Sequence, residues 1–127
     1  MKFLGIDYGS KRVGIAISDD DGRLAFPKMV LENTEDLIAD IEELCEEEKI
    51  KGVIVGESLD SRGRPNEIMK EIIPFKECLE KETSMPIYLE PEFMTSQHAE
   101  IMQEKRELLD ASAAALILQR FLDKRNN

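Results

Sequence analysis

The feature that most constrains this chain is a change in the spacing of its apolar residues near residue 33. Before that point, three short segments have the pattern typical of β-strands, Lys2–Tyr8, Arg12–Ser18 and Leu24–Leu31. The connection Asp19–Gly22 ends in Asp-Gly, which tolerates the positive φ of a tight hairpin turn. Strands joined by such short connections pair antiparallel. Pro27 predicts that the third strand lies at a sheet edge or a bulge, because proline donates no backbone hydrogen bond.

After residue 33, apolar residues recur at helical spacing and strands then alternate with helices. Such alternation requires crossover connections, so it predicts an α/β domain with a mixed sheet and helices on both faces. The order βββαβαβαα, with five strands and an antiparallel first three, is similar to the ribonuclease-H-like architecture. The predicted elements of this second part are a helix capped by Asn33 or Thr34, a strand at Gly52–Gly56, a helix at Glu67–Glu82 that Pro74 kinks or divides, a strand at Pro86–Glu90, and helices at Thr95–Arg106 and Asp110–Leu122.

Length and charge limit the class of protein. The 127 residues fit one domain, 1–127. The formal net charge of −10 argues at first against a nucleic-acid partner, because phosphate binding needs clustered Lys and Arg. Eight carboxylates and one lysine lie within Asn33–Lys49, however, so the rest of the chain carries a net charge of only −3. Since one acidic helix can face away from a nucleic acid, such a partner is compatible with the charge.

Targeting signals and cysteine usage indicate the compartment. The sequence reaches Asp7 too early for a signal-peptide core. The longest uninterrupted apolar run, Ala113–Leu118, is far shorter than the roughly 20 residues of a membrane span. Two cysteines, Cys45 and Cys78, do not form a disulfide framework. We therefore expect a cytoplasmic protein without a membrane partner.

Carboxylates follow or end several of the predicted strands. Asp7 ends the first strand just before Gly9, Glu57 follows the fourth strand, and Glu92 follows the fifth. Asp110 opens an alanine-rich helix whose small side chains allow close packing on a sheet. Each acid also has a structural explanation, as a turn residue, a helix N-cap or a solvated loop residue. If they converge at one sheet edge, a hard divalent cation such as Mg²⁺ or Mn²⁺ would relieve their repulsion.

Basic residues lie in the loops beside these carboxylates. Lys11 and Arg12 follow the first strand, and Arg62 and Arg64 follow the fourth. They could position substrate phosphates or serve only as surface charges that aid solubility. Three further residues also have two interpretations. Lys105 and Arg106 end a predicted helix and could bind phosphate or only add surface charge, and His98 could move protons or simply lie on a helix surface.

The opening segment Gly5–Ala16, which reads Gly-Ile-Asp-Tyr-Gly-Ser-Lys-Arg-Val-Gly-Ile-Ala, resembles the first motif of the YqgF-type family. Members of this family are described as Holliday junction resolvases and as pre-16S ribosomal RNA nucleases. The similarity continues in order along the whole chain. Its further segments are Val53–Gly56, Gly63, Thr95–Ala99 and Leu109–Ala114.

The resemblance implies a ribonuclease-H-like, magnesium-dependent nuclease in which Asp7, Asp110 and Glu92 match the catalytic acids. The sequence departs from the family pattern at 91–96, where Asp-Glu-Arg-Leu-Thr-Thr is replaced by Pro-Glu-Phe-Met-Thr-Ser. The glutamate is kept, but the neighbouring acid and the arginine are lost. Because related ribonuclease-H-like nucleases keep an acid at the end of the fourth strand, Glu57 is an alternative metal ligand to Glu92.

The sequence therefore predicts a metal-dependent nuclease acting on ribosomal RNA precursor or on branched DNA. The alternative is a catalytically impaired nucleic-acid-binding or ribosome-assembly module of the same fold. A phosphotransferase of the actin and sugar-kinase type, whose first phosphate loop is similar to Asp7–Ser10, needs two lobes, and this length supplies one. No base-reading motif selects RNA over DNA, and both a monomer and a homodimer are compatible with the sequence.

Overall fold

Eight strands and helices make up the part of the chain that the structure, a computed structural model, describes: residues 1–93 and 106–127. The predicted helix at Thr95–Arg106 therefore lies outside the described residues except for Arg106, and so does His98. The elements are β1 (Phe3–Tyr8), β2 (Arg12–Ser18), β3 (Ala25–Glu32), α1 (Leu37–Glu47), β4 (Gly52–Leu59), α2 (Met69–Thr83), β5 (Ile87–Phe93) and α3 (Arg106–Arg125).

The strands form one five-stranded mixed sheet in the order β3-β2-β1-β4-β5. The first three strands are antiparallel neighbours, while β4 runs parallel to β1 and β5 runs parallel to β4. This arrangement confirms the predicted ribonuclease-H-like sheet. The turn between β2 and β3 is confirmed as well, because Gly22 adopts a φ of 68° and the Asp19 carboxylate accepts the backbone N–H of Arg23 at 2.8 Å.

Helices cover both faces of the sheet, as the alternation of strands and helices predicts. On one face, α1 and α2 pack over Leu4, Ile6 and Val55 in the larger apolar core. On the other face, α3 packs over Phe3 and Ile54 in a smaller core. Successive residues of β1 and β4 thus point to opposite faces, as strand geometry requires. None of the helices in the described part of the chain is long and apolar enough to span a bilayer.

The outermost strand β3 contains the predicted irregularity at proline. Ile15 of β2 pairs with Met29, and the next residue of β2, Ala16, pairs with Pro27. Lys28 therefore has no register partner in β2. Such an extra residue is a β-bulge. Pro27 therefore lies both at the sheet edge and at a bulge.

Two strands extend further than the sequence predicts. The predicted fourth strand stops at Gly56, but β4 continues to Leu59 because residues 57–59 pair in parallel with 91–93 of β5. The predicted fifth strand stops at Glu90, but the same pairing carries β5 to Phe93. Glu57 and Glu92 consequently lie within strands and not in the loops that follow them.

The structure differs from three helix predictions in detail. First, α1 begins at Leu37 after Asp36, which makes no side-chain cap hydrogen bond, so neither Asn33 nor Thr34 is the N-cap. Second, Pro74 does not divide the helix, because it lies inside one continuous α2, on its exposed side, where solvent can replace the hydrogen bond that proline removes. That Pro74 kinks the helix stays a prediction. Third, α3 begins at Arg106 and Asp110 lies within it, because the residues before Asp110 continue the helical turn.

Candidate active site

Asp7 lies near the carboxyl end of β1, in the register position opposite Gly14 of β2. The pKa of Asp7 is raised from 3.8 to about 8. Burial is the largest cause, and the negative charges of Glu92 and then of Asp110 add to it. Carboxylates from β1, β5 and α3, distant in sequence, therefore lie close enough together to disfavour one another's ionisation.

The position of Asp110 depends on the absence of a side chain at Gly14. A Cβ atom on Gly14 would lie 1.9 Å from the backbone oxygen of Asp110 and 3.0 Å from the backbone nitrogen of Ala111. Only glycine allows so close an approach of a helix to a strand. Because Gly14 is also the register partner of Asp7, this contact places Asp110 beside the end of β1.

Two more glycines lie under the same helix. A Cβ on Gly5 of β1 would lie 2.7 Å from Leu118 Cβ, and one on Gly56 of β4 would lie 2.7 Å from Ile117 Cδ1. The small alanines of the helix predict close packing on the sheet, but these strand glycines are not among the residues predicted to matter. A glycine within each of three apolar strands was the available signal, because a strand glycine often marks close approach of another backbone.

Glu92 lies in β5 opposite Ser58 of β4, with 8% of its surface exposed. Its Oε2 is 3.6 Å from the position that a Cβ on Gly56 would take, and that position faces α3. Glu92 therefore lies on the α3 face of the sheet. Asp7 lies on that face too, two residues after Gly5 in the same strand.

Glu57, the alternative to Glu92, is partly buried and directly follows Gly56 in β4. Because Gly56 faces α3, strand alternation directs Glu57 to the opposite face, the one covered by α1 and α2. The structure thus brings Asp7, Asp110 and Glu92 together on one face and does not bring Glu57 to it.

Arg12, the first residue of β2, forms an ion pair with one of these acids. Its Nε lies 3.3 Å from Asp110 Oδ2, and the two side chains are 28% and 18% exposed. The neighbouring Lys11 is exposed, and its backbone carbonyl accepts the N–H of Asn33 at 2.9 Å. Of the two basic residues after β1, the structure places Arg12 at the carboxylates.

Arg62 and Arg64 lie in a turn beyond the carboxyl end of β4. The Asp60 carboxylate accepts both of their backbone N–H groups at 2.9 Å, and Arg64 Nε lies 3.0 Å from Asp60 Oδ2. These bonds, the one from the Arg64 backbone first, lower the pKa of Asp60. A Cβ on Gly63 would lie 3.8 Å from Phe93 Cε1, so the turn contacts the end of β5 at Phe93, whose side chain points to the face opposite that of Glu92. Both arginine side chains are exposed.

The donor chemistry of the three acids fits a hard divalent cation. Mg²⁺ and Mn²⁺ prefer carboxylate oxygen, and a cation would favour the ionised form of Asp7 that burial and its neighbours disfavour. Among the side chains that the structure describes, those of residues 1–93 and 110–127, no three from acidic, histidine or cysteine residues already surround a common metal position. If a cation binds at this edge, Asp7, Asp110 and Glu92 are the residues that would hold it, because the charges of Glu92 and Asp110 already act on Asp7.

Comparisons with a family model, with related sequences and with solved structures all find nucleases or Holliday junction resolvases. The family model described as "RuvX: Holliday junction resolvase" matches residues 1–124. A protein of Nitratidesulfovibrio vulgaris (strain Miyazaki F) named "Putative pre-16S rRNA nuclease" is 36% identical, over 97% of this chain and 94% of its own. A relative of the same name from Oleidesulfovibrio alaskensis is 35% identical, over 97% and 92%. The structure of Thermus thermophilus RuvC has a similar fold, with a TM-score of 0.64 and 17% identity over 98% of this chain and 96% of that one.

Proposed function

This chain belongs to the RuvX family of Holliday junction resolvases, and we propose that it is a nuclease that uses Mg²⁺ or Mn²⁺ to hydrolyse phosphodiester bonds. The observation that carries the proposal is the raised pKa of Asp7, about 8, which burial and the charges of Glu92 and Asp110 produce. Acids with strongly perturbed pKa values are typical of functional sites. Together with Asp7, the carboxylates of Glu92 and Asp110 make the carboxyl edge of this mixed sheet a site suited to phosphate chemistry.

Asp7, Asp110 and Glu92 would hold the cation. When bound, it would activate water and stabilise the charge that develops on the phosphate oxygens. Asp7 carries a proton near neutral pH before the cation binds, because its pKa is about 8, and it must release that proton to become a ligand. The strand positions of the partly buried Asp7 and the buried Glu92 would hold their carboxylates in place during the reaction.

Basic residues around this edge would position the substrate backbone. Arg62 and Arg64 have exposed side chains on a turn that Asp60 holds in shape. Arg64 is paired with Asp60 through its Nε, and both arginines would offer their remaining guanidinium N–H groups to a phosphate. Lys11 is exposed on the loop after β1, at the same edge of the sheet. Arg12 is close to the acids and would reach the phosphate nearest the reacting bond.

The substrate would be ribosomal RNA precursor or branched DNA. The first follows from the names of the relatives and the second from the description of the family. The acidic helix α1 packs on the face opposite α3, so its charge would not lie against a nucleic acid bound at the carboxyl edge. Either substrate would place the protein in the cytoplasm.

Cleavage assays test this proposal directly. The full chain is incubated with Mg²⁺ and either an RNA that carries the flanks of 16S ribosomal RNA or a synthetic four-way DNA junction. Asp7→Asn and Asp110→Asn should lower the cleavage rate by about 10²-fold or more, the size of effect expected when a key charge-stabilising group is lost. Asp40→Asn, the same change on the exposed surface of α1, is the matched control and should cleave normally.

A binding module without nuclease activity is the second candidate. It is favoured by the Arg12–Asp110 ion pair, because a carboxylate already paired with arginine needs no metal. In that case the protein should bind the RNA or the junction with the same affinity with and without Mg²⁺, and neither substrate should be cut. Cleavage that depends on Asp7 would exclude this candidate.

A further inference from the structure

The ion pair between Arg12 and Asp110 joins a residue proposed to bind phosphate to a residue proposed to bind metal. Arg12 Nε lies 3.3 Å from Asp110 Oδ2, and both side chains are less than one-third exposed. Asp110 also raises the pKa of Asp7, so the guanidinium group lies at the edge of the carboxylate cluster. A fixed positive charge therefore already neutralises part of this cluster.

The backbone keeps Arg12 within reach of Asp110. Arg12 lies two residues before Gly14 in β2, and Gly14 is the position where the backbone of Asp110 lies against the sheet. Residues i and i+2 of a strand point to the same face. The close approach that places Asp110 beside Asp7 consequently also places it beside Arg12, and the pair does not depend on a flexible loop.

We propose that Arg12 is the internal counterion of Asp110 and that it must leave this carboxylate before a divalent cation can bind there. This inference rests on the proposed function. The Arg12 N–H and a cation would compete for Asp110 oxygen, and the two positive charges would also repel each other. Once released, the planar guanidinium can donate two parallel hydrogen bonds to a substrate phosphate. When the cation and the substrate bind, Arg12 would thus exchange the Asp110 carboxylate for a substrate phosphate.

A purely structural role for Arg12 predicts the opposite result. If the ion pair only orients Asp110 for the metal, loss of Arg12 should weaken metal binding. If Arg12 is a competing counterion, its loss should strengthen metal binding in the absence of nucleic acid. The direction of the change in metal affinity therefore separates the two roles.

The test is calorimetric titration of Mn²⁺ into the full chain without nucleic acid. Arg12→Gln should bind Mn²⁺ about two- to five-fold more tightly than the unaltered chain, the range expected for losing a partly exposed ion pair. Arg12→Lys keeps the charge but loses the planar donor, so its affinity should fall between the two. Arg23→Gln is the control: it removes the same charge from the exposed turn between β2 and β3, at the other edge of the sheet, and should not change the affinity.

Unchanged or weaker Mn²⁺ binding by Arg12→Gln would overturn the inference, provided that Asp110→Asn still lowers the affinity. Failure of the proposed function has a different result: Asp7→Asn and Asp110→Asn would then bind Mn²⁺ as tightly as the unaltered chain. Thermal unfolding of each variant shows whether it is folded. If Arg12→Gln does not fold, Arg12→Lys decides the question by the same change in affinity.

Discussion

Gly14 of β2 lies against the backbone of Asp110 in α3, so closely that a methyl group on Gly14 would lie 1.9 Å from the Asp110 carbonyl oxygen. Gly14 is also opposite Asp7 in the sheet. One contact between a strand and a helix thus determines how far apart two of the candidate catalytic acids lie. The site depends as much on a missing side chain as on the acids themselves.

Gly14→Ala should therefore impair both stability and cleavage. The new methyl group must push α3 away from the sheet, and such overpacking costs about 1–3 kcal/mol in the free energy of unfolding. Urea unfolding measures this cost, and a cleavage assay with Mg²⁺ measures the displacement of Asp110. Gly52→Ala is the control, because its methyl group would lie 3.0 Å from the Phe3 ring, remote from the acids. It should cost less stability and leave cleavage intact; equal activity of Gly14→Ala would contradict the role assigned to this contact.

Paired substitutions decide which glutamate completes the site. Glu92→Gln should lower cleavage by about 10²-fold or more, because Glu92 lies on the face of Asp7 and its charge reaches that residue. Glu57→Gln should retain most of the activity, because strand alternation directs Glu57 to the face covered by α1 and α2. Rates measured under the same Mg²⁺ concentration test both. Loss of cleavage in Glu57→Gln with normal activity in Glu92→Gln would reverse the assignment.

The raised pKa of Asp7 predicts how stability changes with pH in the metal-free protein. The pKa of Asp7 is about 8 in the folded state and 3.8 as the ordinary value that applies to the unfolded state. At a pH between these two values, the folded state therefore holds a proton on Asp7 that the unfolded state has released. The contribution of Asp7 to stability is therefore full below pH 4 and is lost as the pH rises toward 8. The free energy of unfolding should fall by an amount on the order of a few kcal/mol over this pH range.

Asp7→Asn isolates this effect from the other carboxylates. The difference in the free energy of unfolding between Asp7→Asn and the unaltered chain, measured in urea at pH 5 and at pH 7.5 without metal, should favour the variant more at the higher pH. Asp40→Asn should show no such trend, because it lies on the exposed surface of α1. A pH-independent difference for Asp7→Asn would show that Asp7 ionises normally in the folded protein.

Arg62 and Arg64 should contribute to nucleic-acid affinity through the phosphate backbone. Each phosphate contact that is lost should reduce the slope of log affinity against log salt by about 0.9 for duplex DNA. Arg62→Gln and Arg64→Gln should each lower that slope and weaken binding of a four-way junction, measured by fluorescence anisotropy with Ca²⁺ in place of Mg²⁺. Arg23→Gln, at the opposite edge of the sheet, should leave the slope unchanged. If all three variants behave alike, the turn after β4 is not part of the binding surface.

The sequence predicts the order of the sheet and the place of Asp7, because both depend on local patterns: alternation, a short hairpin and an acid at a strand end. It does not separate Glu57 from Glu92. The apolar pattern of the fourth strand stops at Gly56, whereas β4 continues for three polar or mixed residues that only pairing with β5 stabilises. Whether an acid faces α3 depends on this register, which is a tertiary property.

The position of Asp110 also depends on tertiary structure and could not be predicted from the sequence. Aspartate before an alanine-rich segment is typical of an N-cap, but α3 begins at Arg106 and Asp110 instead pairs with Arg12, which is far away in sequence. Neither the strand glycines under α3 nor this ion pair can be derived from local propensity, because each depends on where the helix meets the sheet.

Both outer strands of the sheet contain a proline, Pro27 in β3 and Pro91 in β5. Proline cannot donate a backbone hydrogen bond, and β3 is further interrupted by its bulge at Lys28. A strand of a second molecule that paired with β3 or β5 would therefore lack a backbone donor at each proline. The architecture opposes edge-to-edge aggregation and disfavours a continuous sheet shared by two copies, so self-association of this protein would have to use side-chain surfaces.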